Sequence, residues 1–90
     1  MFEAVESIEY RDRPGMNPVE TVLGCFVDEA GARAAARAAR AAFLKDQTRD
    51  YAWWTVRQAG ARLARWIADS RAEKEFVLDL RSGELVELAE

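Results

Sequence analysis

Histidine is absent from this 90-residue chain. With it go the commonest general base at neutral pH, the commonest metal ligand and the usual partner of a serine or cysteine nucleophile. Cysteine occurs once, as Cys25, so no internal disulfide can form and a reducing, cytoplasmic compartment is expected. One thiol among carboxylates is a poor tetrahedral zinc set, and neither a metal nor another cofactor is expected. The five glycines are scattered, and no G-x-G-x-x-G, Walker-type loop or EF-hand spacing occurs. No apolar run approaches the roughly 18 residues of a membrane span. The start, Met1 to Tyr10, carries Glu3, Glu6 and Glu9 where a signal peptide needs a basic stretch and an apolar core. Neither a membrane location nor secretion is expected.

What is present suits one globular domain over residues 1–90. The chain is 50% apolar and 32% charged, whereas disorder calls for fewer apolar residues and a larger net charge. A chain of this length buries only about 60% of the surface its unfolded form exposes, so its core must be efficient or supplemented. The net charge of −3 conceals a segregation. Residues 1–30 hold seven acids and two bases, residues 31–66 hold eight bases and two acids, and residues 67–90 hold seven acids and three bases. A fold that lays both acidic ends on the basic middle neutralises much of this internally.

Phe2 to Tyr10 alternates, with Phe2, Ala4, Ile8 and Tyr10 on one side and Glu3, Ser7 and Glu9 on the other, the mark of a half-buried strand. Glu6 interrupts the apolar face and Val5 the polar one. Arg13-Pro14-Gly15 suits a turn, which Asn17-Pro18 extends. Val19 to Val27 is β-branched and apolar on both sides, which predicts an interior strand. Asp28 then stands as an N-cap, with Glu29 in the first turn of a helix.

Glu29 to Lys45 is built from alanine and arginine, the strongest helix formers. At 100° per residue Ala32, Ala35, Ala36, Ala39 and Phe43 make one stripe, and Arg33, Arg37 and Arg40 a second. The small stripe predicts close packing on a sheet with Phe43 as anchor. Asp46 to Asp50 is a polar connection. Tyr51 to Gln58 reads as a strand, and Phe76 to Leu80 with Glu84 to Leu88 reads as a hairpin turning at Gly83. Residues 61–72 admit two readings. As a strand, Leu63 to Ala68 pairs back on Tyr51 to Gln58 across a turn containing Gly60. As a short helix, the segment would carry an Arg65–Asp69 pair at i,i+4. The strand reading is preferred.

Few residues point to chemistry. Carboxylate pairs such as Asp69 with Asp79 have no spacing that argues for a shared acid–base site. Cys25 lies in the most apolar segment with no basic neighbour in sequence, so a buried, inert thiol is expected. An enzyme is therefore not expected. Arg33, Arg37 and Arg40 would suit phosphate contacts, with tryptophans stacking on bases, but the pI near 5.0 and the lack of any nucleic-acid signature argue against it.

The tryptophans carry more. Trp53 and Trp54 are adjacent, so in a strand they point to opposite faces of the sheet. One helix covers only one face. The second tryptophan needs cover from a curled sheet, from a helix at 61–72 or from another molecule. Trp53, Trp54 and Trp66 are accordingly the candidate interface residues, since aromatic residues concentrate binding energy.

The expected fold is α+β: a mostly antiparallel sheet of five or six strands with one alanine-rich helix at about 29–45 on one face. A second short helix at 61–72 is the alternative. The expected function is a small non-enzymatic binding module, homodimeric through a tryptophan-bearing sheet face or bound to another protein. A nucleic-acid-associated regulator using the arginine stripe comes second. An accessory subunit or small-ligand binder comes third, marked by a concave apolar pocket with convergent polar groups.

Overall fold

The computed structural model describes residues 1–12, 15, 17–46 and 50–88. The expected Arg13-Pro14 turn residues, and Gln47 to Arg49 of the polar connection, lie outside these. The chain is α+β. The elements run β1 (Phe2–Glu9), β2 (Val19–Phe26), α1 (Glu29–Lys45), β3 (Tyr51–Gln58), β4 (Ala64–Asp69), β5 (Glu75–Leu78) and β6 (Leu85–Glu87). They form a six-stranded sheet in the order β2-β1-β3-β4-β5-β6, antiparallel throughout. The segment at 61–72 thus contains strand β4, not a helix. Two of its neighbours follow from turn chemistry: Gly60 at φ +84 bends β3 into β4, and Gly83 at φ +75 closes the β5–β6 hairpin.

Helix α1 begins where Asp28 accepts a hydrogen bond from the Gly31 N–H at 2.7 Å. Its alanine stripe faces the sheet. Ala32 and Ala36 are fully buried, and Ala35, Ala39 and Phe43 pack around them. The sheet answers with alternating small and large side chains. Ala4, Ala52 and Ala68 lie beside Trp54, Val56 and Trp66, nearly all at 0% exposure. Small residues on both layers let the backbones approach, and the two indoles fill the space left between them. Phe43 meets Trp54 edge-on at 5.4 Å between ring centroids.

Each buried indole has an acceptor. Trp54 Nε1 donates to Glu6 Oε2 at 2.9 Å, and Trp66 Nε1 donates to Glu75 Oε1 at 3.0 Å. Glu6, which interrupts the apolar alternation of β1, stands directly opposite Trp54 in the β1–β3 register. Its charge is placed to meet the one polar atom of the residue beside it.

Two expectations are corrected. Val19 to Val27 was expected to form an interior strand, but β2 is the outer strand of the sheet and most of it is exposed, Val22 at 52%. The connection through α1 carries the chain past β1, so β3 takes the inner place beside β1 and β2 is left at the rim. Cys25 was expected to be buried and is exposed. It pairs with Glu3 in the β1–β2 register and so lies on the face away from the helix.

Candidate functional site

Helix α1 packs against β1, β2 and β3, which leaves β4 and β5 to be covered by other means. The arginine stripe does this. Arg37 makes a two-pronged contact with Glu75, its Nε at 2.9 Å from Oε2, and its guanidinium lies 5.8 Å from the Trp66 ring centre. Arg40 donates to the backbone carbonyls of Asp69 at 2.9 Å and Ala72 at 2.7 Å. Arg33 pairs with Glu29 one turn earlier at 3.0 Å. Long side chains with apolar stems thus extend the helical layer over the half of the sheet the helix does not reach. The guanidinium of Arg37 holds the Glu75 carboxyl below its ordinary value; burial opposes this and the Trp66 N–H adds to it.

The charge segregation of the sequence resolves the same way. Bases of the middle segment meet acids of both ends, in Arg57–Glu3 at 3.0 Å, Arg65–Glu29 at 2.9 Å and Arg37–Glu75. The three arginines considered for phosphate contact therefore each hold an acceptor of their own chain.

The opposite face of the sheet carries no helix among the described residues. Strand pairing lines up one row across it, from Val22 through Val5, Thr55, Ile67 and Phe76 to Glu87. Trp53 stands in the adjoining row between Ser7 and Asp69. Of the three tryptophans only Trp53 is on this face; Trp54 and Trp66 lie in the core beneath α1 and Arg37. Val5 and Ser7 are only 1% exposed although they point away from the helix. Val5 therefore belongs to this second face and does not spoil a polar one.

Towards β5 the face is concave. A hollow of about 460 Å³ is lined by Trp53, Ile67, Phe76, Tyr51, Glu9 and Lys74 among others. Tyr51 and Trp53 sit 5.5 Å apart between ring centres. Arg71 lies over Tyr51 at 4.5 Å, and the Tyr51 hydroxyl donates to Asp69 Oδ2 at 3.4 Å. Burial, then the adjacent Asp69 carboxylate, raises the phenol above its usual value, so Tyr51 remains a neutral donor.

Asp69 and Asp79 share no site. Asp69 Oδ1 accepts from the N–H groups of Arg71 and Ala72, and Asp79 Oδ1 from that of Arg81, so each shapes its own loop. Sequence reasoning missed Tyr51, Ile67, Phe76 and Glu9 as companions of Trp53. Period-two alternation marks them as sharing sides of their strands, but only strand order makes them neighbours. No helix of the described residues is long and apolar enough to cross a membrane. Comparison with protein-family models, curated proteins and solved structures gives no match to this chain.

Proposed function

We propose that the chain is a small non-enzymatic interaction module that works as a homodimer, the open sheet faces of two copies packed against each other. The observation that carries this reading is the apolar row from Val22 to Phe76, with Trp53 beside it, on a face that no helix of the described residues covers. A sheet with two apolar faces needs two covering layers, and the helix provides one.

A second copy is the occupant that self-complementarity favours, because a two-fold axis through the middle of the row sets apolar side chains on apolar side chains. Stacked sheets lie about 10 Å apart, so the facing side chains of two copies can meet across the axis. A reducing cytoplasm suits the module, since it keeps the exposed Cys25 thiol free.

The test is Ile67→Lys, which places a charge at the centre of the row without touching the helical core. Sedimentation velocity should show the parent as a dimer and the variant as a monomer with the same far-ultraviolet circular dichroism. An unchanged sedimentation coefficient in the variant would sink the face-to-face arrangement.

A further inference from the structure

We infer that the hollow at the β3–β5 end of the open face is a binding site for a small organic cation, a protonated amine or quaternary ammonium ion. The hollow lies within one protomer, so this does not rest on dimerisation, although a second copy on the face would roof it.

Its size, about 460 Å³, falls within the range of small-molecule sites. Three aromatic side chains, Tyr51, Trp53 and Phe76, line it together with Ile67. Aromatic faces carry partial negative charge and attract cations most strongly when water is displaced. The chain itself already uses this chemistry, for the Arg71 guanidinium rests 4.5 Å from the Tyr51 ring centre.

The formal charges point the same way. Two carboxylates, Glu9 and Asp69, line the hollow against one cation, Lys74, with Arg71 over Tyr51 next to it. Lys74 Nζ is 3.7 Å from Glu87 Oε2 and Arg71 is on Tyr51, so both cations have company. Asp69 is engaged by two backbone N–H groups and the Tyr51 hydroxyl. Glu9 makes no hydrogen bond or ion pair among the described residues, and it is the carboxylate left to meet an incoming positive charge.

The experiment is a titration of the full chain with choline, and with 3,3-dimethyl-1-butanol as its neutral isostere, at matched ionic strength. It is followed by the indole N–H resonances, the Trp53 signal being identified by its loss in Trp53→Phe. Choline should move the Trp53 resonance saturably, and the alcohol should bind at least about tenfold more weakly. Glu9→Gln, an exposed substitution, should weaken choline about threefold or more. Equal binding of the alcohol, no saturable shift at Trp53, or choline affinity untouched by Glu9→Gln would each overturn the site. Light scattering on the same samples separates the two proposals. A monomer that binds choline retains the site and removes only the dimer, while a dimer indifferent to choline removes only the site.

Discussion

Trp53 and Trp54 are consecutive in β3, yet Trp54 is fully buried beneath α1 while Trp53 lies partly exposed on the opposite face. The two indoles therefore serve different ends. Trp54→Ala should cost about 3–5 kcal/mol, the usual range for deleting a buried aromatic side chain. Trp53→Ala should cost much less in urea unfolding at low protein concentration, where self-association contributes little. Equal losses from the two substitutions would show that the open face is ordinary core.

Glu6 and Trp54 make a second testable pair. Removing the carboxylate in Glu6→Ala leaves the Trp54 indole N–H buried without its acceptor, a loss of about 1–3 kcal/mol. In a Trp54→Phe background the same substitution should cost distinctly less, because the donor is gone. The four proteins of this cycle, compared by chemical denaturation, check the claim. A cycle that closes with no coupling would mean that Glu6 is simply solvated.

The Glu75 carboxyl is held below its ordinary value of 4.5, first by the hydrogen bonds from Arg37. A depressed folded-state value contributes stability that is fully present above the unfolded value. That stability is lost as the pH falls through the folded one. Glu75→Gln should therefore be less stable than the parent at neutral pH, and the gap should narrow below about pH 4.5. Thermal unfolding of both proteins between pH 7 and pH 3 measures it, and a gap that stays constant would contradict the pairing.

Cys25 gives a simple check of the edge position of β2. In the monomeric Ile67→Lys variant an exposed thiol on a rim strand should react fully with a disulfide reagent in native buffer, at a rate close to that in denaturant. Protection of the thiol in that variant by more than about a hundredfold would place β2 inside the molecule.

Much of this architecture was legible from local pattern. The alanine and phenylalanine stripe located α1, Asp28 located its start, and Tyr51 to Gln58 read as β3, while β4 was the preferred of two readings for residues 61–72. Gly60 and Gly83 marked turns. The sides of adjacent residues were readable too, which is why Trp53 and Trp54 separate as expected. What local pattern does not carry is which strands become neighbours. Val19 to Val27 looks the same as an interior strand or as an apolar rim, so the exposure of Cys25 was misjudged with it. Glu6 looked like a flaw because its partner Trp54 lies 48 residues away, and although pairing of the basic middle with the acidic ends was expected, the particular partner of Arg37, Glu75, lies 38 residues beyond it. The hollow around Trp53 likewise draws on four strands and the loop before β5, and no single stretch of sequence announces it.

The central claim is that the open face is covered by a second copy. It is tested most directly by the solution mass from size-exclusion chromatography with light scattering over a wide concentration range. A stable mass of twice 10.1 kDa, falling to the monomer in Ile67→Lys, is the predicted result. A mass of 10.1 kDa at every concentration would contradict the claim and leave Trp53 to a different partner.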